Sequence, residues 1–271
     1  MNPSLSVPLL ASSLALLLGC SESGVTSGAR FELRPRMELE SRTATTRSGW
    51  NVELGKAQLA LAEIHFFTGE PLGASNRLRR RATSVLALWD RADRVLGVAP
   101  AHAHPGHYVE GDALGEMLTP ITVDLLAGST PLGVADATSG LYRSGRVTFA
   151  TPPVGSLAAE MGDASLVLEG TATKESETRS FRFRAAGAEL NNASQNPELE
   201  GCRFEETQID AAGAVIVTAH PTIWFAAADF TDLAPSTDGA PVDVPRDSKL
   251  YRQLKEQVLA AAGIGFRYAT E

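Results

Sequence analysis

The chain has 271 residues, of which 44% are hydrophobic, and a formal net charge of −8. This length and composition allow a substantial core in one large or two small domains. The excess of acidic side chains argues against nucleic acid as a partner and also against extended contact with anionic lipid, because both attract positively charged surfaces.

The first residues have the pattern of an export signal. An almost uninterrupted apolar run, Val7–Leu18, is too short to span a bilayer stably. It leads into the letters LLGC at positions 17–20, which resemble the lipobox of bacterial lipoprotein precursors. The resemblance implies that residues 1–19 are removed as a lipoprotein signal peptide, and that Cys20 is lipidated and becomes the mature N-terminus.

The residues that follow this cysteine favour the same interpretation. Residues 20–29 are rich in serine and glycine, which is typical of a flexible tether. Serine rather than aspartate follows Cys20, which is similar to Gram-negative lipoproteins that are sorted to the outer membrane. The resemblance implies a cell-envelope protein whose lipid anchors it to the membrane, at the periplasmic face or the surface of the outer membrane. The alternative is a buried N-terminal helix with an incidental cysteine.

The second cysteine, Cys202, has no partner for an intrachain disulfide if Cys20 is lipidated. A lone cysteine is most often a small buried apolar residue. The alternative is that Cys202 is a metal ligand.

From Phe31 onward, short runs of alternating apolar residues predict β-strands. The strongest of these signals is Trp50–Phe67, where both faces carry apolar side chains, so we expect both faces to be covered. Within this strand Glu63 and His65 lie on the same face. Either Glu63 holds a core histidine, or the two side chains point at a site.

The next stretch predicts a loop and a helix. Arg77–Arg81 contains four arginines in an acidic chain with no interleaved aromatic residues, which indicates a solvated loop. Apolar residues at helical spacing then predict a short amphipathic helix over residues 84–96.

Three of the five histidines follow within six residues, at His102, His104 and His107. In an extended chain the first two imidazoles project to one side, roughly 6–7 Å apart along the backbone. The Pro-Gly pair at 105–106 fits a type II turn, which brings the Cα atoms of His104 and His107 to within about 7 Å. The three rings are therefore expected to face one small volume.

Converging imidazoles are how a protein builds a nitrogen-rich metal site, and such sites suit copper, zinc or nickel. A further donor is expected from one of five other residues: His220, His65, Glu110, Asp112 or Glu116. The loop lacks the helical register of the HExxH motif of zinc proteases, so the pattern predicts metal binding without a hydrolase.

The C-terminal half predicts two hairpins and a helix. Ser165–Thr171 and Arg179–Arg184 flank one polar turn, and Cys202–Ile209 and Ala214–His220 flank another. A helix is predicted over residues 247–262, with a final strand after it. Many short strands with one or two short helices predict a mainly β fold, an antiparallel β-sandwich, formed by residues 30–271 as a single domain.

A second resemblance concerns the body of the chain. The letters ALAEIHFF at 60–67, the histidine loop and IWFAAADF at 223–230 resemble periplasmic copper-binding proteins of the MbnP type, over about residues 30–230. The resemblance favours copper among the candidate ions, but it has no motif that assigns a ligand residue by residue.

The sequence thus predicts a membrane-anchored envelope lipoprotein that binds copper or zinc through a histidine-rich loop. The alternative is a structural or protein-interaction lipoprotein without a metal, in which the histidines only shape the loop. An enzyme is the third and less favoured interpretation. The sequence has no GxSxG elbow, no phosphate-binding glycine loop and no dinucleotide fingerprint, so no catalytic residue is predicted.

Overall fold

The computed structural model of the protein describes residues 28–72, 108–192, 194–236 and 239–270. The strands of these ranges are β1 (Arg30–Leu39), β2 (Thr43–Thr45), β3 (Asn51–Phe67), β4 (Ala113–Met117), β5 (Ile121–Asp124), β6 (Thr130–Pro131), β7 (Ala135–Thr138), β8 (Gly140–Phe149), β9 (Ala164–Lys174), β10 (Glu177–Ala186), β11 (Glu198–Ile209), β12 (Gly213–Ala219), β13 (Val242–Asp243) and β14 (Ile264–Ala269). The α-helices are α1 (Ala158–Met161), α2 (Pro221–Trp224) and α3 (Lys249–Val258).

Eight of the strands pair in a closed ring. The order is β3, β4, β7, β1, β12, β14, β11 and β8, and β8 pairs back onto β3. Most neighbours are antiparallel, but β1 runs parallel to β12 and β11 runs parallel to β14. Closing the ring gives each of these strands a partner on both sides, so fewer backbone groups are left at a free edge.

Strand β3 is shared between the ring and an outer group of strands. Its first half, residues 51–59, pairs with β9; β9 pairs with β10, and β10 with β13. Its last residues, 64–67, lie between β4 and β8 in the ring. The predicted strand over Trp50–Phe67 is confirmed, and most of its side chains on both faces are buried, as expected from its composition.

One part of the core lies inside the ring, where side chains from opposite strands meet, and it continues to the outer strands β9 and β10 and to helix α3. Phe66 of β3 packs against Tyr142, Phe204 and Phe266, with ring centroids 6.0, 5.8 and 5.7 Å apart. The predicted mainly β class is confirmed. The sheet also contains parallel pairs that alternation alone does not predict, and the described residues form three short helices.

Two further predicted elements are confirmed. Strands β9 and β10 form the first hairpin, with Lys174 opposite Glu177 at its turn. Helix α3 begins after Ser248, whose side chain accepts a hydrogen bond from the backbone N–H of Tyr251, as an N-cap does. The helix buries its apolar side against the core and ends at Val258, before the residue 262 that the sequence predicted.

The second predicted hairpin is wrong. Strands β11 and β12 exist, but they do not pair with each other, because β14 lies between them. Strand β14 pairs antiparallel with β12 over six residues and parallel with β11 over two. An alternating pattern fixes which face of a strand is buried, and it does not say which strand is the neighbour.

Several predictions fall on residues outside the described ranges. These are the signal peptide at 1–19, Cys20 and most of the tether, the Arg77–Arg81 loop, the helix at 84–96 and the histidine loop. Within the described ranges, none of the helices has the length and hydropathy of a membrane span.

Candidate functional site

His65 lies between two carboxylates on the outer face of the ring. Alternation along β3 places Glu63 on the same face, and the antiparallel register places Glu116 of β4 directly opposite His65. The Nε2 atom of His65 is 3.0 Å from Oε2 of Glu63, and Nδ1 is 3.8 Å from Oε2 of Glu116. The side chain is only 12% exposed, and its ring stacks on Phe67.

The two contacts assign different roles to the ring nitrogens of His65. An ionised carboxylate can only accept, so the hydrogen bond to Glu63 requires the proton on Nε2. In a neutral imidazole the lone pair is then on Nδ1, on the side of Glu116. In that neutral tautomer, the strand pairing holds the unprotonated nitrogen of His65 and a carboxylate oxygen of Glu116 close together.

More charged side chains lie on the neighbouring strands. The register places Arg146 of β8 beside His65, and Asp136 of β7 beside Glu116. The guanidinium of Arg146 donates to Oε1 of Glu110 at 2.6 Å, and its Nε is 3.7 Å from Oε2 of Glu198. The charge of Arg146 is thus neutralised by the carboxylates of Glu110 and Glu198. The residues around His65 therefore carry an excess of negative charge.

The crowding of carboxylates also affects Glu200, which lies two residues after Glu198 on the same face of β11. Burial raises the pKa of the Glu200 carboxyl above its ordinary value, and the nearby carboxylates of Glu198 and Glu110 raise it further. Arg146 opposes this shift. A region in which carboxylates disfavour each other's ionisation is one that favours a bound cation.

The raised pKa of Glu200 leads to a stability prediction. The folded state binds the Glu200 proton more tightly than the unfolded chain, so the ionised carboxylate destabilises the fold above the folded-state pKa. Glu200→Gln is therefore expected to raise the free energy of unfolding at pH 7 by less than about 1 kcal/mol, as for other partly exposed charges, and so to raise the urea midpoint. The difference from the parent should shrink as the pH falls and Glu200 becomes protonated.

Glu198→Gln is the matched control for this prediction. The Glu198 carboxylate accepts hydrogen bonds from the side chains of Asn192 and Asn196 and lies beside Arg146. The same chemical change should therefore lower the urea midpoint at pH 7. If both variants shift the midpoint in the same direction, the neighbouring carboxylates do not determine how Glu200 contributes to stability.

The segment that contains the histidine loop begins and ends beside His65. The backbone N–H of Thr68 donates to the carbonyl oxygen of Asp112, and that of Gly69 to the carbonyl oxygen of Glu110. Tyr108 packs its ring edge-on against Phe67, with centroids 6.4 Å apart, and its hydroxyl is 2.6 Å from Oγ of Ser144. Burial raises the pKa of Tyr108 to about 12, so its hydroxyl is neutral.

The structure brings together only some of the predicted site residues. His65 and Glu116 are adjacent, and Glu110 and Asp112 lie at the base of the same connection. The ligands predicted in the histidine loop, His102, His104 and His107, lie outside the described ranges. Among the residues that the structure describes, no three His, Cys, Asp or Glu side chains are grouped closely enough to hold a metal ion by themselves.

His220, the other predicted donor, is not near His65. It follows β12, which is four strands away from β3 in either direction around the ring. Its Nδ1 is 3.2 Å from Oε2 of Glu40, a carboxylate that also accepts a hydrogen bond from Thr222. The structure therefore places His220 in a separate cluster.

Cys202 is fully buried within the core, and burial raises the pKa of its thiol. Its Sγ lies 3.6 Å from the carbonyl oxygen of Leu199. A buried protonated thiol with a backbone partner packs as a small apolar residue. This position agrees with the more common of the two roles that the sequence allowed.

Three charged residues of this region were not predicted: Arg146, Glu198 and Glu200. They reach His65 only through the pairing of β8 with β3 and of β11 with β8. A single strand pattern contains no signal for such neighbours.

No family model matches the chain, and the comparisons with curated proteins and with solved structures give no match.

Proposed function

We propose that the protein is a membrane-anchored envelope lipoprotein that binds a transition metal, copper or zinc. In this proposal His65 and Glu116 complete a site whose other ligands are His102, His104 and His107. The observation that supports it is the 3.8 Å separation between Nδ1 of His65 and Oε2 of Glu116.

This separation suits two ligands of one ion. Donors that each lie about 2 Å from a tetrahedral ion are about 3.3 Å from each other. A small rotation of the Glu116 side chain, which is 51% exposed, would bring its oxygen to that distance from His65. Glu63 already accepts the N–H of the other ring nitrogen, which is how carboxylates orient metal-binding imidazoles.

Two donors do not fill the coordination shell of copper or zinc, so the remaining ligands must come from elsewhere. The chain offers them nearby in sequence: His107 directly precedes Tyr108, whose ring packs on Phe67. Consecutive Cα atoms are only 3.8 Å apart across a trans peptide bond. The imidazole-rich ligand set that results is one that copper and zinc favour, and the surrounding carboxylates add attraction for a cation.

The competing function is a structural or protein-interaction lipoprotein without a metal. One observation favours it: the hydrogen bond to Glu63 satisfies one nitrogen of His65 without any ion. In that case His65 is a largely buried histidine that Glu63 holds through a hydrogen bond, and Glu116 is only a neighbouring surface carboxylate.

Metal content separates the two functions. The protein, purified without a histidine tag and loaded with Zn²⁺ or Cu²⁺, is expected to retain about one ion per chain after dialysis. Glu116→Gln should weaken binding at least about tenfold, as should Glu63→Gln, because losing an orienting partner typically has an effect of that size. His104→Ala combined with His107→Ala should abolish retention.

Asp136→Asn is the matched control, because it removes the same charge one strand further from His65. It should weaken binding much less than Glu116→Gln does. The melting temperature offers a second measurement, since a ligand that binds only the folded state raises it. A protein that retains no ion and whose melting temperature a chelator does not change would contradict the proposal and favour the competing function.

A further inference from the structure

A second region, on the His220 side of the ring, has the features of a small-molecule site. A cavity of about 550 Å³ lies there, within the range of volumes that ligand pockets occupy. Its walls combine apolar and charged side chains. Among the apolar ones, Leu72 and Ala262 are exposed, whereas Phe204 and Ile264 are almost fully buried beneath them. This cavity does not include His65, Glu63 or Glu116. A ligand could therefore bind in it whether or not a metal ion binds near His65.

The charged side chains of the cavity are not equivalent. Arg143 lies with its Nη1 3.5 Å from Glu70 and its Nε 3.3 Å from Glu206, so its charge is already balanced. Arg203 also lines the cavity, and its side chain makes no hydrogen bond or ion pair with any residue in the described part of the chain. Among the described residues, the Arg203 guanidinium is therefore the cationic group of this cavity that has no partner.

The neighbouring strands leave space beside Arg203. Gly265 of β14 is directly opposite Arg203 of β11, and it has no side chain to fill the gap between β11 and β12. The imidazole of His220 lies over this glycine: a Cβ atom at position 265 would be 3.0 Å from its Nε2. Because Glu40 holds the opposite nitrogen, the ring is fixed with Nε2 directed towards Gly265.

The chemistry of these walls defines a class of ligand. An unpaired guanidinium binds a carboxylate through two parallel hydrogen bonds. The apolar side chains beside it would remove a hydrocarbon group from water. We propose that this cavity binds an organic carboxylate with a short apolar chain, its carboxylate on Arg203 beside His220 and its chain against Leu72 and Ala262.

Calorimetric titration of the full chain with sodium octanoate tests the proposal. One site per chain is expected. Its affinity should rise about fourfold for each methylene group from butyrate to octanoate, because each buried methylene contributes about that factor. Octanol, which has the chain without the charge, and inorganic phosphate, which has the charge without the chain, should each bind at least about tenfold more weakly than octanoate.

Arg203→Gln should weaken octanoate binding at least about tenfold. The matched control is Arg246→Gln, which removes the same charge from an arginine outside the cavity that is 63% exposed; it should leave the affinity unchanged. Because Arg203 is exposed and unpaired within the described residues, its substitution should also leave the melting temperature unchanged. The proposal is overturned if octanoate does not bind, if Arg203→Gln binds it as well as the parent, or if phosphate binds equally well.

Discussion

Removing residues 264–271 is expected to abolish cooperative folding. The deletion removes β14, which is the only strand that connects β11 to β12 among the described residues. It also removes Phe266, which stacks on Phe204 and packs against Phe66 in the core. Backbone groups of both neighbouring strands would lose their partners, and a buried group without a hydrogen bond is costly. Circular dichroism should show no sigmoidal thermal transition in the shortened chain.

The control for this deletion is a chain that lacks only residues 270 and 271, which follow the last residue of β14. It should melt like the parent. A sigmoidal transition with an unchanged midpoint in the longer deletion would contradict the prediction. It would mean that β11 and β12 can pair directly, as their sequence pattern alone indicated.

Phe66→Ala is expected to lower the free energy of unfolding by about 3–5 kcal/mol, the usual effect of truncating a buried phenylalanine. Phe66 is fully buried, and its ring contacts aromatic residues of three other ring strands, including edge-on contacts with Phe204 and Phe266. Truncation would leave a cavity where the two sides of the ring meet. Urea denaturation at equilibrium measures the change, provided that the slope of the transition is the same in both proteins.

Val154→Ala is a suitable comparison, because Val154 is 49% exposed. It should change the free energy of unfolding by no more than about 0.5 kcal/mol. A loss below about 1 kcal/mol for Phe66→Ala would show that the core collapses around the missing ring. The packing of the two sides of the ring would then contribute less to stability than the contacts of Phe66 indicate.

The elements of this fold could be predicted where the pattern is local. The alternation over Trp50–Phe67 and the helical spacing that places Leu250 and Leu254 on one side are both visible within a few residues. The order of strands could not be predicted in the same way. Strand β14 enters between β11 and β12 from about fifty residues further along the chain, and the parallel pair of β1 and β12 joins still more distant segments.

The same distinction between local pattern and strand order applies to the candidate site. The spacing of Glu63 and His65 predicts that they share a face, and its residue type makes Glu116 a candidate donor. That Glu116 is opposite His65 follows only from the register of β4. His220 is the opposite case: it was a reasonable donor by residue type, and the ring places it four strands away. Residue type identifies candidates, but only the strand pairing decides which candidates meet.

Strand β3 pairs both with the outer strand β9 and with the ring strands β4 and β8, which limits where the chain can be interrupted. A cut between residues 51 and 59 would interrupt the part of β3 that pairs with β9, and a cut between 64 and 67 would interrupt the part that closes the ring. New termini for a circular permutation are therefore better placed in a connection such as the turn between β9 and β10, where Glu175 and Ser176 are exposed.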